Sequence, residues 1–287
     1  MKYVRYGEAG GERPGAIDAS GVLRDLSSVL DDISTTGIAN GVLAGLTEAQ
    51  LAAQPAVEQP VRLGVPFTGT RKFLGIGLNY HDHAREIGAD IPGEPILFTK
   101  AISSISGPHD PVVLPPGSQK SDWEVELGIV IGRRVRNLSA DQAMDAVFGY
   151  CLVNDVTERA WQMERGGTWD KGKGWDTFGP IGPWLVTRDE IPDPQALDIW
   201  LELNGERMQS GSTTDMIFDV RTLVSYLSDF LTLEPGDIIT TGTPAGVGFG
   251  MKPQRFLKAG DVMRLGVAGL GEQRQEVRAH GLSANGP

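Results

Sequence analysis

Asp122-Trp123-Glu124-Val125-Glu126-Leu127-Gly128-Ile129-Val130-Ile131 is the stretch on which the reading of this chain turns. Trp123, Val125 and Leu127 alternate with Glu124 and Glu126. A period of two marks a strand, because successive side chains leave opposite faces of a sheet. On a strand, residues two apart lie about 6.6 Å from each other with parallel side chains, so two glutamates can converge on one cation. On a helix the same pair would diverge by about 200°. Taken alone, the alternation also describes the solvent face of a half-exposed strand. A third carboxylate favours convergence, since Asp155 directly follows an apolar run at residues 150–154. Three carboxylates at strand ends suit a hard divalent ion, Mg²⁺ or Mn²⁺. An octahedral ion held by three protein oxygens keeps about three positions for water or a bidentate substrate.

On either side of this stretch, residues 73–77 (FLGIG), 96–99, 112–114 and 150–154 read as further strands. A short helix is expected at residues 81–87, with Asn79 as its cap and Gly88 as its stop. A second begins at the capping box Ser139/Gln142 and runs to about Phe148. A third carries Val220, Leu223, Val224, Leu227 and Leu231 on one face and ends near Pro235. The turns Pro235-Gly236-Asp237 and Ala259-Gly260-Asp261 lead into strands at 238–241 and 262–267. The first seventy residues read as short strands at 2–6, 15–18 and 22–26 and a helix at 46–53 capped by Thr47. A proline-bounded linker follows at 54–60. The expected organisation is a β-rich α+β chain with a small N-terminal β-rich domain, residues 1–70, and a larger metal-binding domain, 71–287. Three helices are expected in the larger part, and a disordered tail after Gly281.

Composition narrows the function classes. The 38 glycines and 18 prolines in 287 residues are about a fifth of the chain, against roughly 12% on average, so a helix bundle or coiled coil is disfavoured. The net charge is −11 with no long basic run, which disfavours nucleic acid and anionic membrane surfaces as partners. No apolar window reaches 18 residues and Met1 to Glu8 has no apolar core, so a cytoplasmic protein is expected. A single cysteine, Cys151, excludes an internal disulfide and a thiolate metal cluster. Set in an apolar strand with no basic neighbour, it reads as a buried structural thiol.

A second group of chemically able residues is Gly77-Leu78-Asn79-Tyr80-His81-Asp82-His83-Ala84-Arg85-Glu86. His83 and Glu86, three apart, share a helix face. A carboxylate that orients the imidazole makes His83 a candidate general base for water, with His81 as competitor, although a surface helix with ordinary charges has the same pattern. Residues 168–180 (TWDKGKGWDTFGP) read as a mobile loop or as the source of a lysine for an anionic substrate. Residues 240–250 (TTGTPAGVGFG) lack a Walker lysine and fit a backbone nest for a carboxylate better than a phosphate cradle. No Gly-x-Ser-x-Gly elbow is present.

Taken in order, several motifs resemble the fumarylacetoacetate hydrolase family over residues 70–280. They are Gly77-Leu78-Asn79-Tyr80 with His83 and Glu86, Phe98-Thr99-Lys100, Glu124-Val125-Glu126-Leu127, Asn154-Asp155-Val156-Thr157 with Arg159 and Gln162, Gly172-Lys173-Gly174-Trp175-Asp176-Thr177-Phe178-Gly179-Pro180, and Thr241-Gly242-Thr243-Pro244-Ala245-Gly246-Val247-Gly248. Gly179 departs from the cysteine that many relatives carry there. The resemblance implies a mixed β-sandwich roll, usually a homodimer. It also implies Mg²⁺ or Mn²⁺ on Glu124, Glu126 and Asp155, and His83 with Glu86 as a water-activating dyad on a lid segment. Lys173 would add positive charge, and Tyr80, Lys100, Arg159, Gln162 and Thr243 would sit around the ion or the substrate. The activity implied is hydrolysis of a 2,4-dioxo acid to pyruvate and a second acid, with a lean to deoxy sugar acids such as 2,4-diketo-3-deoxy-L-rhamnonate. The rival activities on the same metal site are ureidoglycolate cleavage, acylpyruvate or fumarylpyruvate hydrolysis, and oxaloacetate decarboxylation or tautomerisation. A dicarboxylate-binding protein without catalysis is the non-enzymatic alternative.

Overall fold

Val125–Ile131 occupies the middle of a nine-stranded mixed sheet in the computed structural model, which describes residues 1–281. The tail expected after Gly281 falls outside the described residues. The strand is buried along its whole length. Antiparallel to it on one side runs Val147–Asn154, and on the other Ile238–Thr240, which in turn lies parallel to Phe73–Gly77. Ile96–Lys100 forms the far edge. A second, five-stranded sheet contains Asp198–Leu203, Glu206–Ser212, Val262–Val267 and Gly271–Arg278.

The alternation in the central strands is real, but both faces are covered. Leu127, Ile129, Tyr150 and Leu152 face the main core, together with Leu201, Leu265 and the apolar side of the helix Val220–Phe230. Val130, Cys151 and Val153 face a second apolar cluster that includes Tyr3, Leu26, Ile33, Leu51 and Phe67. The period of two therefore separates two cores instead of separating core from water. Burial pushes the Cys151 thiol up to about 12, as befits an inert side chain.

Residues 1–70 contribute Lys2–Tyr6, Arg13–Ile17 and Leu23–Asp25 to the same nine-stranded sheet, through pairing of Lys2 and Tyr3 with Val186 and Leu185. Thr47 caps Glu48–Ala52 in a capping box with Gln50, and two further short helices, Thr35–Ala39 and Val42–Gly45, precede it. In the larger part the expected helices form at His81–Ile87, Ala140–Ala143 and Val220–Phe230. The second passes into a 3₁₀ turn at Met144–Ala146 and gives way to strand at Val147, earlier than expected. The third stops at Phe230. Arg159–Glu164 and Asp170–Lys173 add two short helices. No helix among the described residues is long and apolar enough to cross a membrane.

Asn79 does not cap the helix at 81–87. Tyr80 holds the cap position without a side-chain bond. The Asn79 amide instead donates to Phe218 O (3.0 Å) and Thr241 O (2.8 Å) and accepts from Phe218 N (2.8 Å), tying the end of Phe73–Gly77 to two distant loops. Asn79→Ala leaves one buried and two part-buried backbone groups without this partner, so it should cost about 2 kcal/mol in urea denaturation.

Candidate metal centre and its cavity

Strand register brings the three acidic residues together. Val153 pairs with Glu126 and Asn154 with Val125, and Asp155 N donates to Glu124 O at 2.8 Å. Glu124 thus enters one strand where Asp155 leaves its neighbour. One oxygen from each of Glu124, Glu126 and Asp155 lies within 4.8 Å of the others, and the three residues are 4%, 1% and 0% exposed. A solvent face is excluded by that burial.

Three cations share this interior. Lys173 Nζ donates to Glu124 Oε2 at 2.5 Å and Asp155 Oδ2 at 2.6 Å. Lys100 Nζ sits 2.6 Å from Asp155 Oδ1. Arg159 Nη2 is 2.6 Å from Glu124 Oε1 and 2.9 Å from Asp122 Oδ2. Burial works to raise the Glu124 carboxyl, but Lys173 and Arg159 outweigh it and hold the group down at about 2. Glu126 has no such partner, since its Oε2 accepts from Gly242 N at 2.8 Å. Burial first, then the charges of Asp155 and Glu124, push it well above the usual carboxylate range.

With Asp122, Glu124, Glu126 and Asp155 all ionised, four negative charges face Lys100, Lys173 and Arg159. The surplus charge falls on Glu126. The cluster can remove it by holding a proton there or by accepting a cation, and the donors are all carboxylate oxygens. Glu124, Glu126 and Asp155 therefore fit a hard divalent ion, which would leave one net positive charge for an anionic ligand.

The segment at residues 241–250 supplies the backbone amides that hold these acids. Gly242 N binds Glu126, Gly246 N binds Glu86 Oε1 (2.8 Å), and Gly248 N and Phe249 N bind Asp122 (2.7 and 3.0 Å). This is the expected carboxylate nest, and the carboxylates it holds belong to the chain itself. Glu86 Oε2 lies 2.9 Å from His83 Nδ1. An ionised Glu86 keeps the proton on Nδ1 and leaves Nε2 as the accepting nitrogen. A Cβ on Gly250 would come within 2.4 Å of Glu86 Cδ, so glycine there leaves room for the bridge from helix to loop. His81 is half-buried and is not on the cavity wall.

Glu124, Glu126, His83, Lys173, Arg159 and Gln162 line one cavity of about 220 Å³, together with Thr243. Tyr80 and Lys100, placed around the ligand by the resemblance, do not line it. The Tyr80 ring is fully buried in the main core, and its hydroxyl has no hydrogen-bond partner. Lys100 supports the site from within, donating to Val156 O (3.3 Å) and to Lys173 O as well as pairing with Asp155. Asp122 was not singled out from sequence, although the acidic alternation extends back to it at the same spacing of two. Trp169 and Phe249 were also passed over. Trp169 packs on Gly77, where a Cβ would lie 2.0 Å from its ring, and Phe249 lies under the Arg159 guanidinium at 5.7 Å.

A β-rich enzyme fold with buried acidic strand ends meeting at the wall of a cavity is the class these features define. The family model for the fumarylacetoacetate (FAA) hydrolase C-terminal domain matches residues 72–278, and the chain belongs to that family. A Burkholderia lata protein provisionally described as a hydrolase is 56% identical over 97% of this chain and 99% of its own length. Among solved structures, the fumarylacetoacetate hydrolase of psychrophilic Exiguobacterium antarcticum superposes with a TM-score of 0.88 at 39% identity, covering 98% of this chain and 100% of that one. Maleylpyruvate hydrolase from Sphingobium sp. SYK-6, solved with manganese(II) and pyruvate, gives 0.81 at 30% identity over 97% and 99%. The 2-hydroxyhepta-2,4-diene-1,7-dioate isomerase of Mycobacterium marinum gives 0.75 at 31% over 98% and 99%.

Asp122→Asn removes a buried partner of Arg159, so unfolding free energy from urea titration should fall by about 3 kcal/mol. Glu272→Gln breaks the half-exposed pair with Arg264 and should cost less than about 1 kcal/mol in the same assay.

Proposed function

We propose that this chain is a divalent-metal-dependent hydrolase that cleaves the C3–C4 bond of a 2,4-dioxo acid, releasing pyruvate and a second carboxylic acid. The observation that carries this reading is His83, bonded to Glu86, on the wall of the cavity that Glu124 and Glu126 also line. A divalent ion held by Glu124, Glu126 and Asp155 would supply Lewis acidity and a chelating seat for the substrate carboxylate and 2-oxo oxygen.

His83, oriented by Glu86, takes a proton from water at Nε2, and the resulting hydroxide adds to the C4 carbonyl. The C3–C4 bond then breaks, its electron pair passes into the pyruvate enolate, and protonation of C3 completes pyruvate. Lys173 contributes fixed positive charge close to the developing enolate oxygen, and Arg159 keeps Glu124 ionised and in place. The carboxylate nest at 241–250 holds Glu86 and Glu126 relative to each other, so base and ligand set move as one unit. The presence of pyruvate and manganese in the Sphingobium relative supports this chemistry for the fold. An isomerase or decarboxylase on the same centre needs no activated water, and the His83–Glu86 geometry favours hydrolysis over both.

The test is incubation of the purified protein with Mn²⁺ or Mg²⁺ and acylpyruvates, with released pyruvate assayed enzymatically. Cleavage should stop with chelator and return with metal. His83→Ala should lose about 10²- to 10⁴-fold in kcat with Mn²⁺ affinity kept within twofold. Glu126→Gln should weaken Mn²⁺ binding in calorimetry by tenfold or more. Full turnover in His83→Ala, or turnover that survives chelation, would overturn the assignment.

A further inference from the structure

We infer that the substrate's acyl end, beyond C4, is uncharged and apolar, carrying neither a second carboxylate nor a polyol chain. This deepens the reading of the site as one for 2,4-dioxo acids and rests on it.

The cavity is charged at one pole and apolar elsewhere. Two short helices make the transition in one turn each. On His81–Ile87, His83 is followed four residues later by Ile87. On Arg159–Glu164, Arg159 is followed four residues later by Met163. Residues four apart share a helix face, about 6 Å apart along the axis. All four of these residues line the cavity, as do Ile76, Leu78, Ile96, Trp169 and Phe249. Ile87, Ile96 and Met163 stand 36%, 38% and 54% exposed at its rim, apolar surface that an alkyl or aryl group would cover.

Among the described residues, the lysine and arginine on this wall both sit at the carboxylate pole. Arg159 pairs with Asp122 and Glu124, and Lys173 lies between Glu124 and Asp155, at the pole where the proposed reaction sets it against the enolate oxygen. Arg165, next to the rim, stacks over Trp161 at 5.4 Å, and Lys171 donates to Arg165 O. The side-chain oxygens of Thr243 and Gln162 are also committed. The Thr243 hydroxyl donates to Val125 O (2.8 Å) and accepts from Gln209 (2.7 Å), and Gln162 Oε1 accepts from Arg159 (3.1 Å). A carboxylate or a run of hydroxyls placed here would lose more water than the Gln162 amide NH2, the donor left on this wall, can replace. The sequence-level lean toward deoxy sugar acids therefore gives way to acylpyruvates with a hydrocarbon acyl group.

The experiment compares kcat/KM for acetyl-, butanoyl-, 3-methylbutanoyl- and benzoylpyruvate with that for maleylpyruvate and a 2,4-dioxo-3-deoxy sugar acid. Each methylene that becomes buried should raise kcat/KM about fourfold, and the dicarboxylic and polyhydroxy substrates should fall at least tenfold below 3-methylbutanoylpyruvate. Met163→Lys, at an exposed rim position, should shift the ratio of maleylpyruvate to 3-methylbutanoylpyruvate turnover at least tenfold toward the dicarboxylate. A binding arm is independent of cleavage: calorimetry with Mn²⁺-loaded protein and pyruvate, 4-methyl-2-oxopentanoate or 2-oxoglutarate. The branched acid should bind at least tenfold more tightly than 2-oxoglutarate. That order without any cleavage would refute the hydrolase reading and keep the apolar class. Cleavage with maleylpyruvate or the sugar acid as best substrate would refute the apolar class alone. Absence of both binding and cleavage would refute both.

Discussion

The structure depends on how a surplus negative charge is kept inside a protein core. Four carboxylates and three cations share a volume largely closed to water, and the pairings leave Glu126 without a cationic partner. A lone buried carboxylate is unstable as an anion, so it must be protonated or find a counter-charge. Every other feature of the centre limits that choice. Lys173 and Arg159 hold Glu124 ionised, Lys100 and Lys173 pair with Asp155, and backbone amides fix Glu126 in place without neutralising it.

Rigidity of this cluster comes from where its members sit. Glu124 and Glu126 bracket the start of a strand buried on both faces, and Asp155 follows the neighbouring strand in register with them. The loop at 241–250 leaves the next strand, Ile238–Thr240, and spends its amides on Glu126, Glu86 and Asp122. One backbone segment thus connects the helix that carries His83, the carboxylate trio and, through Asp122, Arg159. The apolar walls then begin one helical turn from the charged pole, on the same two helices.

Much of this was legible in the sequence because the informative patterns are local. The alternation at 123–127 gave the strand and the convergence of Glu124 with Glu126, and the spacing of His83 and Glu86 gave the bond between them. What failed was non-local. The alternation suggests a solvent face because the second apolar cluster, built partly from residues 3–67, cannot be seen from the strand itself. Asn79 has the residue type of a cap, yet partners more than a hundred residues away claim its amide. Arg159–Glu164 and Asp170–Lys173 are too short to show a helical period. Tyr80 and Lys100 belong to the same motifs as site residues, yet neither lines the cavity: Tyr80 is in the core and Lys100 lies behind Asp155. Residues 240–250 were legible as a nest, but its occupants, the chain's own acids, depend on the tertiary fold.

The central claim is that this acidic cluster is completed by one divalent ion. Anomalous diffraction from a crystal grown with Mn²⁺ measures that directly. The account predicts a single manganese peak within coordination distance of Glu124, Glu126 and Asp155, with the Lys173 ammonium withdrawn from at least one of its two carboxylates. Anomalous density absent from that position at saturating manganese, with Lys173 still bridging Glu124 and Asp155, would contradict it.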